Sequence, residues 1–249
     1  MPGHGWRLVF PSSRHVSRGA GDATPVWFQP DSPTTHRPSR RRAKLLAEGL
    51  VDAATHLIRL LNEETALLDG RRDRLVLGGL GQGCAMGLWT MLCWGERLGA
   101  FVGACAWLPF CDNVARLADQ GVFYLGGSSG SGEDDGDGDG DDDDDDRFDR
   151  AGFVCNEMPV VGFPPDDNCR AALASTPVCL SHGGDDVAVD AALGRAARDC
   201  LLQVGFTVAW REYRGAALDD DGGGGGGWLA TREQVDDLAV FLLRIADLS

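Results

Sequence analysis

At 249 residues the chain has room for one α/β domain with a sizeable core, and its 43% hydrophobic content is ordinary for a globular protein. The formal net charge of −15 belongs mostly to one tract, because residues 133–146 hold eleven acidic side chains and leave about −4 for the rest. Nucleic-acid binding is disfavoured, since no excess of basic charge is left to neutralise phosphates.

In chain order, Trp6-Arg-Leu-Val-Phe-Pro11 predicts a short strand stopped by proline. Residues 14–41, rich in Pro, Ser, Gly and Arg, predict a long loop that Trp27 and Phe28 tuck onto the body. Arg37, Arg40, Arg41, Arg42 and Lys44 form a basic cluster with no interleaved aromatics, the pattern of a solvated helix entrance. From Lys44 to Leu68 the residues Leu46, Leu50, Ala53, Ala54, Leu57, Ile58 and Leu61 follow the 3.6-residue period of an amphipathic helix.

Leu75, Val76 and Leu77 end a buried strand over 74–78, and the small residues Gly78 to Gly83 then form a tight turn. From Gln82 onward Cys84, Ala85, Leu88, Trp89, Met91 and Leu92 recur at helical spacing, predicting a buried helix over 82–95. Leu98 to Pro109 reads as a second buried strand, and strand, helix, strand implies a right-handed parallel unit.

Residues 126–147, glycine and serine followed by aspartate and glycine, predict a disordered acidic insertion. A binding role for the tract, with Ca²⁺ or a basic partner, is the weaker expectation, since the run lacks the spaced ligands and turn glycine of a calcium loop. Thr176 to His182 predicts a third buried strand, 187–204 an amphipathic helix, and Phe206 to Tyr213 a fourth strand. Residues 217–227, with six consecutive glycines, predict a flexible loop. Thr231 caps a last helix with Val235, Leu238, Phe241, Leu242 and Ile245 on its inner face. The expectation is one α/β domain over 1–249, with a mostly parallel sheet and helices on both faces.

The eight cysteines are scattered through apolar runs with no C-x-x-C pair, which predicts buried free thiols in a reducing compartment, no metal site and no cofactor. With no signal peptide and no apolar run near the roughly 20 residues of a membrane helix, a cytoplasmic protein is expected. A dinucleotide site fails on spacing: G-x-G-x-x-G would need glycine at Cys84 or Met86, and no acid near residue 100 could hold a ribose.

The stretch Gly79-Leu80-Gly81-Gln82-Gly83 resembles the nucleophile elbow G-x-S-x-G of α/β-hydrolases. It is most similar to the phospholipase/carboxylesterase family that includes the acyl-protein thioesterases, where G-G-x-S-Q-G is typical. Gly103-Ala-Cys-Ala-Trp-Leu-Pro-Phe110 resembles the G-x-x-G-W-L-P of fungal members, and Val160-Val-Gly-Phe-Pro sits in family order. His182-Gly-Gly-Asp-Asp186 resembles the family's H-G-x-x-D, which puts the triad acid on Asp186; read without the family, Asp185 and Asp186 are a helix N-cap pair.

The resemblance implies hydrolysis of carboxylic esters or thioesters on acylated small molecules or proteins. Carried over residue by residue, it leaves that chemistry incomplete. Gly81 stands at the serine position, and Tyr213-Arg-Gly-Ala-Ala-Leu218 puts Leu218 where Y-x-G-x-x-H has its histidine. The Gln82 N–H remains as half of an oxyanion hole. The other half belongs to a loop after an N-terminal strand that the resemblance places ahead of Trp6, and that strand is expected to be missing. The alternatives are an active hydrolase with an unrecognised nucleophile and a non-catalytic acyl-binding or interaction protein. His182 is a conceivable base, and Cys84, one turn into the buried helix, is more suited to packing than to chemistry.

Overall fold

A computed structural model of the chain describes residues 5–18, 23–29, 40–120, 167–214 and 231–248. The acidic insertion at 126–147, the loop at 217–227 with Leu218, and Val160 to Pro164 lie outside the described residues.

Strands β1 (His15–Arg18) and β2 (Ala23–Val26) make an antiparallel hairpin. Helix α1 (Arg40–Leu67) follows and buries Leu46, Leu50, Ala53, Ala54, Leu57 and Leu61, the residues its period selects. Next come β3 (Val76–Leu80), α2 (Gln82–Trp94), β4 (Ala100–Ala104) and α3 (Cys111–Gln120). After the insertion the chain continues through α4 (Asp167–Ala174), β5 (Val178–Gly183), α5 (Ala191–Val204), β6 (Val208–Tyr213) and α6 (Arg232–Leu248).

The main sheet runs β3-β4-β5-β6, parallel throughout, as successive strand–helix–strand units require. Side-chain alternation assigns its two faces. Phe101 packs at Gly87 of α2, Gly103 lies under Cys84 of α2, and His182 lies under Gly194 of α5. Ser181 points the other way and accepts a hydrogen bond from the Gln234 amide of α6 at 2.7 Å. The chain is therefore an α/β protein with helices on both faces of a parallel sheet. Helix α2 is buried on all sides from Cys84 to Trp94, the pattern of a central core helix. It stops at Gly95, whose left-handed φ of +70° lets its N–H reach the Met91 carbonyl.

Four sequence expectations are corrected. Trp6 to Phe10 is no strand: its residues pair with nothing in either sheet, and Trp6, Leu8 and Phe10 are 52%, 71% and 84% exposed. Within the predicted loop 14–41, the β1–β2 hairpin forms, although Trp27 and Phe28 do pack against the core as expected. The helix predicted from 187 begins at Ala191, because the Asp190 carboxylate caps the Ala192 N–H at 2.8 Å. Helices α3 and α4 were not expected.

Candidate active site

The carboxyl ends of β3, β4 and β5 carry the site. Leaving β3, the backbone reverses at Gly81 with φ +53° and ψ −121°, a conformation L side chains rarely adopt. The Gly81 N–H donates to the Ala104 carbonyl at 3.0 Å, and the Gly81 carbonyl accepts the Ala85 N–H at 3.0 Å as the first helical bond of α2. The turn is so tight that a Cβ on Gly79 would overlap the Gly83 backbone. This is the strand-to-helix elbow expected from the sequence, with glycine at its apex.

Gln82 directly follows the apex and opens α2, so its N–H stands at the positive end of the helix dipole. Its side chain has a role the sequence did not disclose. Oε1 accepts the Trp27 backbone N–H at 2.8 Å while Nε2 donates to the Phe28 carbonyl at 3.0 Å. The residues after the hairpin are thereby fastened to the elbow, with Phe28 edge-on to Trp107 at a ring separation of 5.6 Å.

Asp186 lies in the loop after β5. Its Oδ1 accepts the N–H groups of Ala188 at 2.8 Å and Val189 at 3.0 Å, a local turn and not the cap of α5. The N-cap expectation for the Asp185–Asp186 pair is thus corrected, the cap being Asp190. Oδ2 sits 3.7 Å from Nε2 of the fully buried His182, and the Cys105 thiol donates to the carboxylate. Burial pushes the Asp186 pKa up, but the Val189 N–H, the Cys105 thiol, the Ala188 N–H and the His182 ring outweigh it and hold it below its ordinary value.

His182 Nε2 lies 2.9 Å from the Val189 carbonyl, so the protonated nitrogen is assigned there by the bond it makes. The ring is packed beneath α5, where a Cβ on Gly194 would come within 2.6 Å of Nδ1. The fold thus brings Asp186, His182 and Cys105 together, and Cys105 was absent from the sequence-derived candidates. The signal available was its place at the end of the buried strand segment Gly103-Ala-Cys105. Leu218 lies outside the described residues.

The thiols near the elbow are poor nucleophiles. Burial drives the Cys84 thiol far above its ordinary range, and burial with the adjoining Asp186 pushes Cys105 up to about 12.

With this geometry in place, the relationships to known proteins are informative. Residues 6–122 match the phospholipase/carboxylesterase family model. Among solved structures, Arabidopsis thaliana SOBER1 superposes with a TM-score of 0.59 at 18% identity, over 96% of this chain and 83% of that one. Zea mays acyl-protein thioesterase 2 gives 0.55 at 18% identity over 90% and 73%. Esterase PE8 gives 0.55 at 18% identity over 94% and 76%. Likeness at that identity establishes the fold. No curated protein sequence matches the chain.

Proposed function

We propose that this chain, whose residues 6–122 match the phospholipase/carboxylesterase family model, is a carboxylesterase/thioesterase-like protein that binds acyl esters or thioesters, free or on an acylated protein, without cleaving them. The observation that carries the reading is the elbow apex: Gly81 holds the strained position of a nucleophile and has no oxygen to attack with. Leu218, at the family's histidine position, supplies no base. Losing one such partner from a serine-hydrolase triad costs on the order of 10⁶-fold in turnover. Asp186 is the retained acid, and the Gln82 N–H is the retained half of the oxyanion hole.

Hydrolysis through an unrecognised nucleophile is the weaker reading, because Cys84 and Cys105 both stay protonated at neutral pH. A reducing, cytoplasmic setting is supported by the reduced thiols of Cys84, Cys93, Cys111, Cys179 and Cys200. Among the described residues no helix is long and apolar enough to cross a membrane. The acidic insertion at 126–147 suits a basic partner by charge, a role that its deletion tests.

The test uses the full chain and Gly81→Ser side by side with short p-nitrophenyl esters. Neither shows saturable cleavage, because the serine alone lacks a base. An acyl-enzyme adduct on the unmodified chain, detected by mass spectrometry, sinks the non-hydrolytic reading. Titration with a non-hydrolysable alkyl thioether, followed by tryptophan fluorescence, tests acyl binding; absence of saturation removes that half.

A further inference from the structure

We infer that Cys111 and Cys200 form a peroxide-oxidisable thiol pair that closes reversibly into a disulfide between α3 and α5. Cys111 is the first residue of α3, and Cys200 lies within α5. They stand 89 positions apart in sequence, yet each sulfur reaches the other's helix. Cys111 Sγ donates to the Ala196 carbonyl at 3.3 Å, and Cys200 Sγ donates to the Cys111 carbonyl at 3.6 Å. Ala196 precedes Cys200 by one helical turn, so both contacts fall at one spot on the α3–α5 seam. The Cys200 thiol also meets the Cys111 sulfur directly. Thiols are weak donors, and exchanging these contacts for a covalent bond gives up little.

The two sulfurs are not equivalent. Cys111 is half-buried while Cys200 is 2% exposed, so an oxidant meets Cys111 first. The hydrogen bond to the Cys111 sulfur, and then burial, push the Cys200 thiol above its ordinary value. Cys200 therefore stays protonated until Cys111 has changed. Other described thiols lack this arrangement. Cys84 and Cys105 neighbour each other, but at 0% and 2% exposure neither offers an oxidant a reachable sulfur. Cys93 is wholly buried, and Cys179 has Asp237 and Arg211 beside it.

With hydrogen peroxide as the oxidant the chemistry takes two steps. Cys111 loses its proton to solvent and its sulfur attacks one peroxide oxygen; the O–O bond breaks, hydroxide leaves and a sulfenic acid forms. That change removes the thiol partner that held the Cys200 proton most strongly. Cys200 then gives up its proton and attacks the Cys111 sulfur, the S–O bond breaks, and a second hydroxide leaves. In sum, two thiols and one peroxide yield one disulfide and two waters, with the sulfurs oxidised by two electrons and the peroxide oxygens reduced by the same two. A dithiol reductant resets the pair by thiol–disulfide exchange. A disulfide in a reducing compartment is of this transient, redox-sensing kind. The pair works independently of whether the elbow binds or cleaves anything.

The experiment treats the reduced full chain with hydrogen peroxide, blocks the remaining thiols by alkylation and maps tryptic peptides without reduction. The expected product joins the peptide 98–116 to the peptide 199–211, and fragmentation places the bond on Cys111 and not on Cys105 of the same peptide. Dithiothreitol returns both thiols. In Cys111→Ser the joined peptide is lost and Cys200 is recovered alkylated. Absence of the joined peptide, a bond from Cys200 to any other cysteine, or Cys111 oxidised to the sulfinic acid while Cys200 stays a thiol overturns the pair. Should circular dichroism show that Cys111→Ser is unfolded, the map of the unmodified chain decides alone.

Discussion

Gln82 Oε1 accepts the backbone N–H of Trp27 at 2.8 Å, so the first residue of α2 also anchors the chain leaving the β1–β2 hairpin. With Nε2 bound to the Phe28 carbonyl at 3.0 Å, one amide satisfies a donor and an acceptor that lie next to a fully buried phenyl ring. Gln82→Ala leaves both groups unpaired and costs about 1–3 kcal/mol. Urea denaturation measures the loss, and a midpoint within error of the unmodified chain refutes the anchoring role.

Gly81 sits where a side chain is strained, with φ +53° and ψ −121°. Gly81→Ser and Gly81→Ala each destabilise the chain by about 1–3 kcal/mol through the backbone. A shift in Tm that is the same for both variants identifies the cause as conformational; a loss confined to serine points instead to the hydroxyl.

Gly103 faces Cys84 so closely that an added Cβ would overlap the Cys84 sulfur and come within 3.0 Å of Leu180. Gly103→Ala therefore overpacks the α2–β4 contact and costs about 1–3 kcal/mol. Cys84→Ala removes the obstructing sulfur, so the double variant is less destabilised than the two single losses added together. Strict additivity in denaturant melts contradicts the contact.

Acid lowers stability through Glu212. The Arg195 guanidinium holds its carboxylate at 2.7 Å and, with the Trp210 N–H, depresses its pKa from 4.5 to about 2. A depressed carboxylate contributes stability above its unfolded pKa and loses it as pH falls, here between 4.5 and about 2. Asp186 acts in the same direction. Because Arg195 is well exposed, solvent screens the pair and the contribution is small. Glu212→Gln flattens the fall in Tm across that window, and an unchanged acid limb disproves the assignment.

The long periodic segments were legible in the sequence because their burial is local information. Helix α2 runs Gln82–Trp94 against an expectation of 82–95, and α1 runs Arg40–Leu67 against Lys44 to Leu68. The glycine turn was legible because only glycine fits beside the Gly83 backbone. Trp6 to Phe10 misled because a strand-like composition forms a strand only if an edge is there to pair with it. Asp186 and Asp190 shifted the start of α5, since each carboxylate binds the backbone that a helix from 187 would have used. The approach of Cys105 to His182 and Asp186 is tertiary. It depends on β4 and β5 being neighbours in register, with Ala104 opposite Ser181.

Every residue of α2 from Cys84 to Trp94 is shielded from solvent, so the helix has no outer surface along which to fray. Its amide protons at the centre, around Leu88 to Met91, exchange only when the whole sheet comes apart. The bend at Gly81 is thus enforced from the interior side, by eleven consecutive buried residues that fit in one way only. Its shape is maintained by that packing together with the Gly81 N–H bond to the Ala104 carbonyl.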